Sequence, residues 1–353
     1  MARPKMEKPV RVTVLVYVHN AEKYLIDCLK SLSNQILDDM EIICINDGST
    51  DESADILKNF ATKEPRMRVI ELKKSAGYGR VLNRGIKLAG GEYIGIIEAT
   101  DFINPEMFIE LFALAKKFDA DVAKSNYFIF DKDKDELKDA VLPEEAGFII
   151  DPMENTRIFY QPPAIWSAIY KKSFLEKEKI GFLETSACAC QDISFNVKIL
   201  ASGGAIVLTD KPYLHHRPIK TVIDNAEEAF NINEEFAEAE RYLKKKDVWK
   251  VYGYIFEAVK FASYHWNMLN LKKEFLEKFA LRMRAEFHDV DNKNMLRKPY
   301  FPKNHWRMLR VLLDTSPTAF LLIFKNRNKK QLKSNNQKPT KTKTRSKSDD
   351  ELD

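Results

Sequence analysis

Gly91-Glu92-Tyr93-Ile94-Gly95-Ile96-Ile97-Glu98-Ala99-Thr100-Asp101-Phe102-Ile103-Asn104-Pro105 is the stretch on which the reading of this chain turns. Tyr93 to Glu98 are almost wholly apolar, follow a glycine and run into acidic residues. That is the pattern of a strand buried on both faces, as in a parallel sheet covered by helices. Such sheets bind ligands beyond the carboxyl ends of their strands, where loops present side chains to a crevice. Here that end carries Glu98 and Asp101, and Asn104-Pro105 is expected to open a helix. Two carboxylates at the mouth of a buried strand suit a divalent cation held against a diphosphate. The plainer alternative is that Asp101 and Asn104 cap the helix that follows.

Strand and helix signals alternate on the amino-terminal side of this stretch. Strands are expected at Arg11 to Val18, Glu41 to Ile45 and Arg68 to Leu72, and helices at Ala21 to Leu32, Ser53 to Phe60 and Gly79 to Ala89. A further helix is expected from Glu106 to Phe118. Units of this length imply right-handed crossovers and one parallel sheet, with every loop at the carboxyl ends opening on the same side. Val18-His19-Asn20, Asn46-Asp47-Gly48-Ser49, Gly77-Tyr78-Gly79-Arg80 and Glu98 to Asp101 then surround one cleft. Asn46 and Asp47 can hydrogen-bond a base such as uracil, although Asp-Gly-Ser is also ordinary turn chemistry. The Gly77-to-Arg80 loop lets backbone approach a phosphate and offers a cation. It is not a GxGxxG fingerprint, and no GxxxxGK[ST] loop occurs.

Composition narrows the classes. The 353 residues are 44% hydrophobic, enough for a sizeable core. The net charge of +5 is a tail effect: Lys325 to Asp353 holds ten Lys/Arg and four Asp/Glu, more than the whole excess. The body lacks a basic stripe with interleaved aromatics, which argues against nucleic acid as a partner. Cys28, Cys44, Cys188 and Cys190 fit no metal spacing and read as reduced thiols of a cytoplasmic protein. Met1 to Pro9 is charged, without the apolar core of a signal peptide, and no run of eighteen apolar residues occurs.

Val14 to Leu25 (VLVYVHNAEKYL), Ile43 to Ser53 (ICINDGSTDES), Gly77 to Gly95 (GYGRVLNRGIKLAGGEYIG) and the acidic loop together resemble a family 2 glycosyltransferase of the bacterial capsular or lipopolysaccharide type. The resemblance continues through Ile165 to Tyr170 (IWSAIY) and Cys190 to Phe195 (CQDISF), and covers roughly residues 10 to 217. It implies an α/β GT-A nucleotide-sugar-binding fold: a Rossmann-like mixed sheet flanked by helices. The implied activity is inverting transfer of a sugar from a nucleoside-diphosphate sugar, a UDP-sugar as leading donor, to a glycan or lipid-linked acceptor hydroxyl. Val18, Asn20, Asn46, Asp47, Gly77, Arg80, Asn83, Glu98, Ala99 and Thr100 would line the donor. Trp166, Gln191 and Arg217 would lie on the acceptor side, with Trp166 equally readable as a core aromatic, and Asp192 would be the catalytic base. A first-turn Asp favoured by the helix dipole is the structural alternative for Asp192. The implied cofactor is Mg2+ or Mn2+; Glu98 and Asp101 are read as sharing it, and His215 or His216, of which His216 is taken as the candidate, could reach it.

The acidic loop departs from the family. Two carboxylates separated by one residue are usual, but here the second position is Thr100. Tyr17 stands where a Pro is common and His19 where an aromatic is common. A glycosyltransferase-like scaffold without catalysis is therefore the competing reading.

Beyond the acidic loop, Val122 to Phe130 and Ala146 to Ile150 read as a strand pair around a charged tip, Asp131 to Asp139. Ala205 to Leu208 reads as a strand with Pro212 to Arg217 after it. The expected organisation is a tail over residues 1–9, a catalytic domain over 10–222, a helical domain over 223–328 and a disordered basic tail over 329–353. The helical domain offers acceptor contacts or a homo-oligomer surface. Its end, His305 to Phe324, carries Trp306, Met308, Leu309, Leu312 and Leu313 beside a basic cluster. That pattern fits a wedge on an anionic inner-membrane leaflet, or equally a helix packed on the protein's own core.

Overall fold

The computed structural model describes residues 9–185, 187, 190–218, 223 and 225–329. Both expected tails, apart from Pro9 and Lys329, and Cys188 lie outside the described residues. The first third is a run of strand–helix units: β1 (Val12–Val18), α1 (Glu22–Ser33), β2 (Met40–Asp47), α2 (Ser53–Ala61), β3 (Met67–Leu72), α3 (Tyr78–Leu88) and β4 (Tyr93–Glu98). There follow β5 (Phe102–Ile103), α4 (Met107–Lys117), β6 (Val122–Asp131), β7 (Lys134–Lys138) and β8 (Ile149–Ile150). Then come β9 (Ala168–Lys171), α5 (Lys172–Glu178), α6 (Asp192–Ala201) and β10 (Ile206–His216).

Among the described residues the sheet runs β3-β2-β1-β4-β9-β6-β10-β5, with β7 beside β6 and β8 beside β10. The expected parallel set is present: β1 pairs in parallel with β2 and β4, and β2 with β3. Leu15, Val16, Ile42, Ile43, Ile96 and Ile97 are buried, as strands covered on both faces require. Leu25, Cys28, Leu29 and Leu32 of α1 recur at helical spacing and are buried too. The sheet is nevertheless mixed. β9 is antiparallel to both β4 and β6, which leaves β6 and β10 parallel to β4.

This topology decides what meets at the cleft. The carboxyl ends of β1, β2, β3, β4 and β10 share one edge, which brings His216 opposite Glu98 to Asp101. β9 runs the other way, so its amino end, with Trp166 just before it, reaches the same edge. α6 leads back to the start of β10, so its first residue, Asp192, points there as well.

Three expectations are corrected. The hairpin partner of β6 is β7, the charged segment read as a tip; Lys132 and Asp133 alone form the turn, with φ of 50° and 58°. β8 pairs instead with Ile206 and Val207 of β10. An exposed edge strand needs no alternating apolar face, so Lys134–Lys138 carried no strand signal. Pro212 to His216 belongs to β10 rather than following it; register shifts on either side of Pro212 let a proline sit in the strand.

The carboxyl-terminal part is helical: α7 (Ala226–Lys245), α8 (Trp249–Asn270), α9 (Lys273–Asn292), α10 (Lys303–Asp314) and α11 (Pro317–Arg327). Met308, Leu309, Leu312 and Leu313 of α10 and Phe320, Leu321 and Phe324 of α11 are buried. Arg284 of α9 donates to the carbonyls of Leu312 and Thr315, holding the α10–α11 corner. The apolar side chains that fitted a membrane wedge therefore pack into the protein's own core, and Leu322 is the one left strongly exposed on α11. No helix among the described residues is long and apolar enough to cross a membrane.

Candidate functional site

The rim of the cleft is tied together by Asp47, the last residue of β2 and fully buried. Its carboxylate accepts from Ser75 Oγ at 2.8 Å, from the Ala76 amide at 2.6 Å, and from the Gly77 amide and Tyr17 hydroxyl at 3.2 Å. Its carbonyl meets His19 Nδ1 at 2.8 Å. Asn46 Oδ1 accepts from the Ser49 amide, and Asn20, at φ 49°, accepts from the Thr50 amide at 2.8 Å. Gly48 is required between them: its φ is +65°, and a Cβ would stand 2.7 Å from Ser75 N. Three loops expected to meet a nucleotide are thus locked to one another, and the Asp47 carboxylate is engaged within the chain.

The Gly77-to-Arg80 loop also does something other than expected. Gly79 is glycine because the chain passes over it; a Cβ there would fall 2.1 Å from the Leu183 carbonyl oxygen. Asn83 Oδ1 accepts from the Phe182 amide, and its Nδ2 donates to the Phe182 carbonyl and Glu184. Arg80 pairs with Glu184 at 3.2 Å. Arg80 and Asn83 therefore hold the 182–184 segment. Gln191, 2% exposed, donates to Thr185 Oγ1 and the Ala187 carbonyl, folding into the same segment.

Glu98 accepts a 2.5 Å hydrogen bond from Tyr78, whose ring packs edge-on against Tyr17. Burial pushes the Glu98 carboxyl up to about 7 against the pull of Tyr78; Asp101 and Asp192 push it further and His216 opposes them. Asp101 is fully buried. Its Oδ2 meets His216 Nδ1 at 2.9 Å, and its Oδ1 accepts from the Arg217 amide at 3.0 Å and Thr100 Oγ1 at 3.2 Å. Neither Asp101 nor Asn104 caps the following helix: Asn104 Oδ1 faces His215 Nε2 at 3.0 Å. Strand alternation turns the two histidines apart. His215 is stacked between Phe102 and Phe128, while Trp166 stacks on His216 at 4.6 Å and is itself 8% exposed. Arg217 lies behind the acidic loop, donating to the Thr100 carbonyl and Asp27 at 2.9 and 2.8 Å with its guanidinium over Phe102.

The expected metal set can be tested on these contacts. Both Asp101 oxygens have partners within the chain, Glu98 Oε1 is held by Tyr78, and Thr100 brings a hydroxyl to the missing position. No group of three His, Cys, Asp or Glu suited to a metal ion occurs among the described residues. Glu98, Asp101 and His216 are neighbours, but as arranged they do not fit a protein-held cation.

Asp192 opens α6 at the cleft edge. Burial raises its pKa above the ordinary aspartate value; hydrogen bonding to its own amide and the charges of Lys124 and His216 lower it. Two residues around it carried no functional signal in the sequence. Lys124 is buried, donates to the Pro163 and Ala164 carbonyls before Trp166, and is pushed down to about 7 by burial. Glu235, on α7 and wholly buried, accepts from the Ser194 amide at 2.9 Å and is pushed up to about 7 by burial. Each sits in an apolar or helical pattern; the one cue was a charge on a core face. Tyr17, already marked as unusual, and Tyr78 complete the floor.

A mixed sheet with β-strand ends converging on a carboxylate cleft, and helices on its flanks, defines a GT-A-type transferase fold. The family-wide pattern of Glycosyl transferase family 2 matches residues 13–178. It is 32% identical over 219 residues to EpsH of Bacillus subtilis (strain 168), covering 60% of this chain and 62% of that protein. It is 36% identical over 195 residues to a poly(ribitol-phosphate) beta-glucosyltransferase of Bacillus spizizenii, covering 53% of this chain and 29% of that one. The matched region is thus under two thirds of the length of each. Among solved structures, S. aureus TarS 1–349 superposes with a TM-score of 0.71 at 18% identity, over 91% of this chain and 92% of that one. The same protein in complex with UDP-GlcNAc gives 0.67 at 17%.

Proposed function

We propose that the protein transfers a sugar, with inversion, from a nucleoside-diphosphate sugar to an acceptor hydroxyl of a bacterial surface polysaccharide. The observation that carries this reading is Asp192: a carboxylate with a raised pKa at the cleft edge, opposite Glu98 and beside His216. Its oxygen takes the acceptor's proton as that hydroxyl attacks the anomeric carbon in line. The bond to the diphosphate breaks on the opposite face, and the nucleoside diphosphate leaves with the electron pair. The Asp47 knot holds the nucleotide-side loops in place beforehand, which lowers the ordering cost of binding. A UDP-sugar is the donor of choice because TarS, of like fold, has been solved with UDP and with UDP-GlcNAc. The acceptor class follows from relatives such as the poly(ribitol-phosphate) beta-glucosyltransferase. Placement at the inner face of the cytoplasmic membrane rests on Leu322, Lys325 and Arg327, and flotation with anionic vesicles tests it.

A panel of UDP-sugars, assayed for transfer and for donor hydrolysis, tests the reading. Turnover that Asp192→Asn abolishes supports it. Donor binding without turnover would instead favour the scaffold reading, for which the internally engaged Asp101 is the supporting observation.

A further inference from the structure

Away from the cleft, α7, α8 and α9 enclose a cavity of about 240 Å³. Its floor is polar and buried: Asn233, Glu257, Lys260 and Tyr264 are each at most 6% exposed. Phe236, Trp249, Val290 and Met295 supply apolar wall. At ~30 Å³ per water the space equals about eight waters, well beyond a single structural water. It is smaller than the usual drug-sized site, so it suits one small molecule.

The chemistry of the lining narrows the occupant. Asn233 Oδ1 and Glu257 Oε2 are buried without a hydrogen-bond partner, and Lys260 Nζ stands off Glu257 Oε2 at 3.4 Å. Asn233 Oδ1 is an acceptor without a hydrogen-bond partner and Glu257 Oε2 an acceptor with only the Lys260 ion pair, which favours an occupant that donates hydrogen bonds. Four carboxylates are balanced by four cations in the lining, and those at the mouth pair with each other: Lys244 with Glu240, Lys293 with Asp289, Arg282 with Glu286. A balanced site attracts neither an anion nor a cation strongly. Hydroxyl donors, no net charge and an apolar flank are the attributes of a pyranose ring. We propose that this cavity is a carbohydrate subsite holding one neutral sugar residue, separate from the cleft.

α7 is the wall between the two sites. Asn231 and Glu235, one turn apart, face Thr185 and α6, whereas Asn233, Ala237, Glu240 and Lys244 face the cavity. A sugar bound there sits one helix away from the residues that position Asp192. A free monosaccharide and a residue of a longer glycan offer the same ring, and probes of different length separate them.

Saturation-transfer NMR on the full-length protein, with UDP present and glucose, N-acetylglucosamine and chitotriose as probes, tests the assignment. Saturation of at least one sugar is expected in the wild type and in Asp192→Asn. Ala237→Trp, which fills the mouth from an exposed helical position, should weaken it about tenfold or more, as should Glu257→Gln through loss of one charge-assisted hydrogen bond. Thermal melts establish that each variant is folded, and Ala237→Trp decides if Glu257→Gln is not. Chitotriose binding as tightly as N-acetylglucosamine assigns a glycan residue; weaker binding assigns a free sugar. Absence of saturation, saturation unchanged in Ala237→Trp, or preference for inorganic phosphate or putrescine overturns the proposal. None of these readouts depends on turnover, so the subsite and the transfer reaction fail independently.

Discussion

Asp192 and Lys124 set the pH behaviour expected of the cleft. A general base acts only when deprotonated, so activity should rise with pH through the Asp192 pKa, which burial holds above 3.8. Asp192→Asn should lower turnover about 10²–10⁴-fold with donor affinity little changed; equal turnover in the folded variant would remove Asp192 from the mechanism. Lys124 is protonated below about 7 and its charge lowers the Asp192 pKa. Lys124→Met should therefore shift the acid limb of the pH–rate profile to higher pH, and a shift to lower pH or none would contradict the coupling. Glu98, Asp101 and His216 bear on the metal question in the same way. Because Asp101 is engaged by His216, Thr100 and the Arg217 amide, donor affinity measured by calorimetry should change by less than about threefold between Mg2+ and a chelator. A larger loss in chelator would mean that this pair opens to take a cation.

Elements differ in how much of them could be read beforehand. β1, β2 and β4 were plain because strands covered on both faces write continuous apolar runs into the chain. β7 was not, since an edge strand with charged faces resembles a loop until its partner is known. The candidate site divides similarly. Its loops were correctly located, but whether Asp47, Asn83 or Arg217 has a side chain free for a ligand depends on partners about 30 to 190 residues away. Gln191 finds its partners nearby, in a loop with no regular period to reveal them. α10 and α11 had two open readings, and burial chooses the core. Phe324→Ala should cost about 3–5 kcal/mol by chemical denaturation, whereas exposed Leu322→Ser should stay within about 0.5 kcal/mol. Near-equal effects would mean that α11 is not packed as described.

At the scale of the molecule, sheet order explains why residues separated by more than a hundred positions act together. Thr100-Asp101 and His216-Arg217 end parallel strands, and antiparallel β9 inserts Trp166 between them. The Asp47 knot has a kinetic consequence as well. The Ala76 and Gly77 amides donate to a carboxylate that is fully buried, so they are shielded from solvent before any nucleotide arrives. Hydrogen–deuterium exchange of the empty protein should find both amides slow, like the strands and unlike ordinary surface loops, with little further slowing when UDP is added. Fast exchange that UDP suppresses would instead describe a loop ordered by its ligand. In the slow case the nucleotide meets a rim already in its bound form, and its arrival rate is set by diffusion and orientation rather than by waiting for the loop.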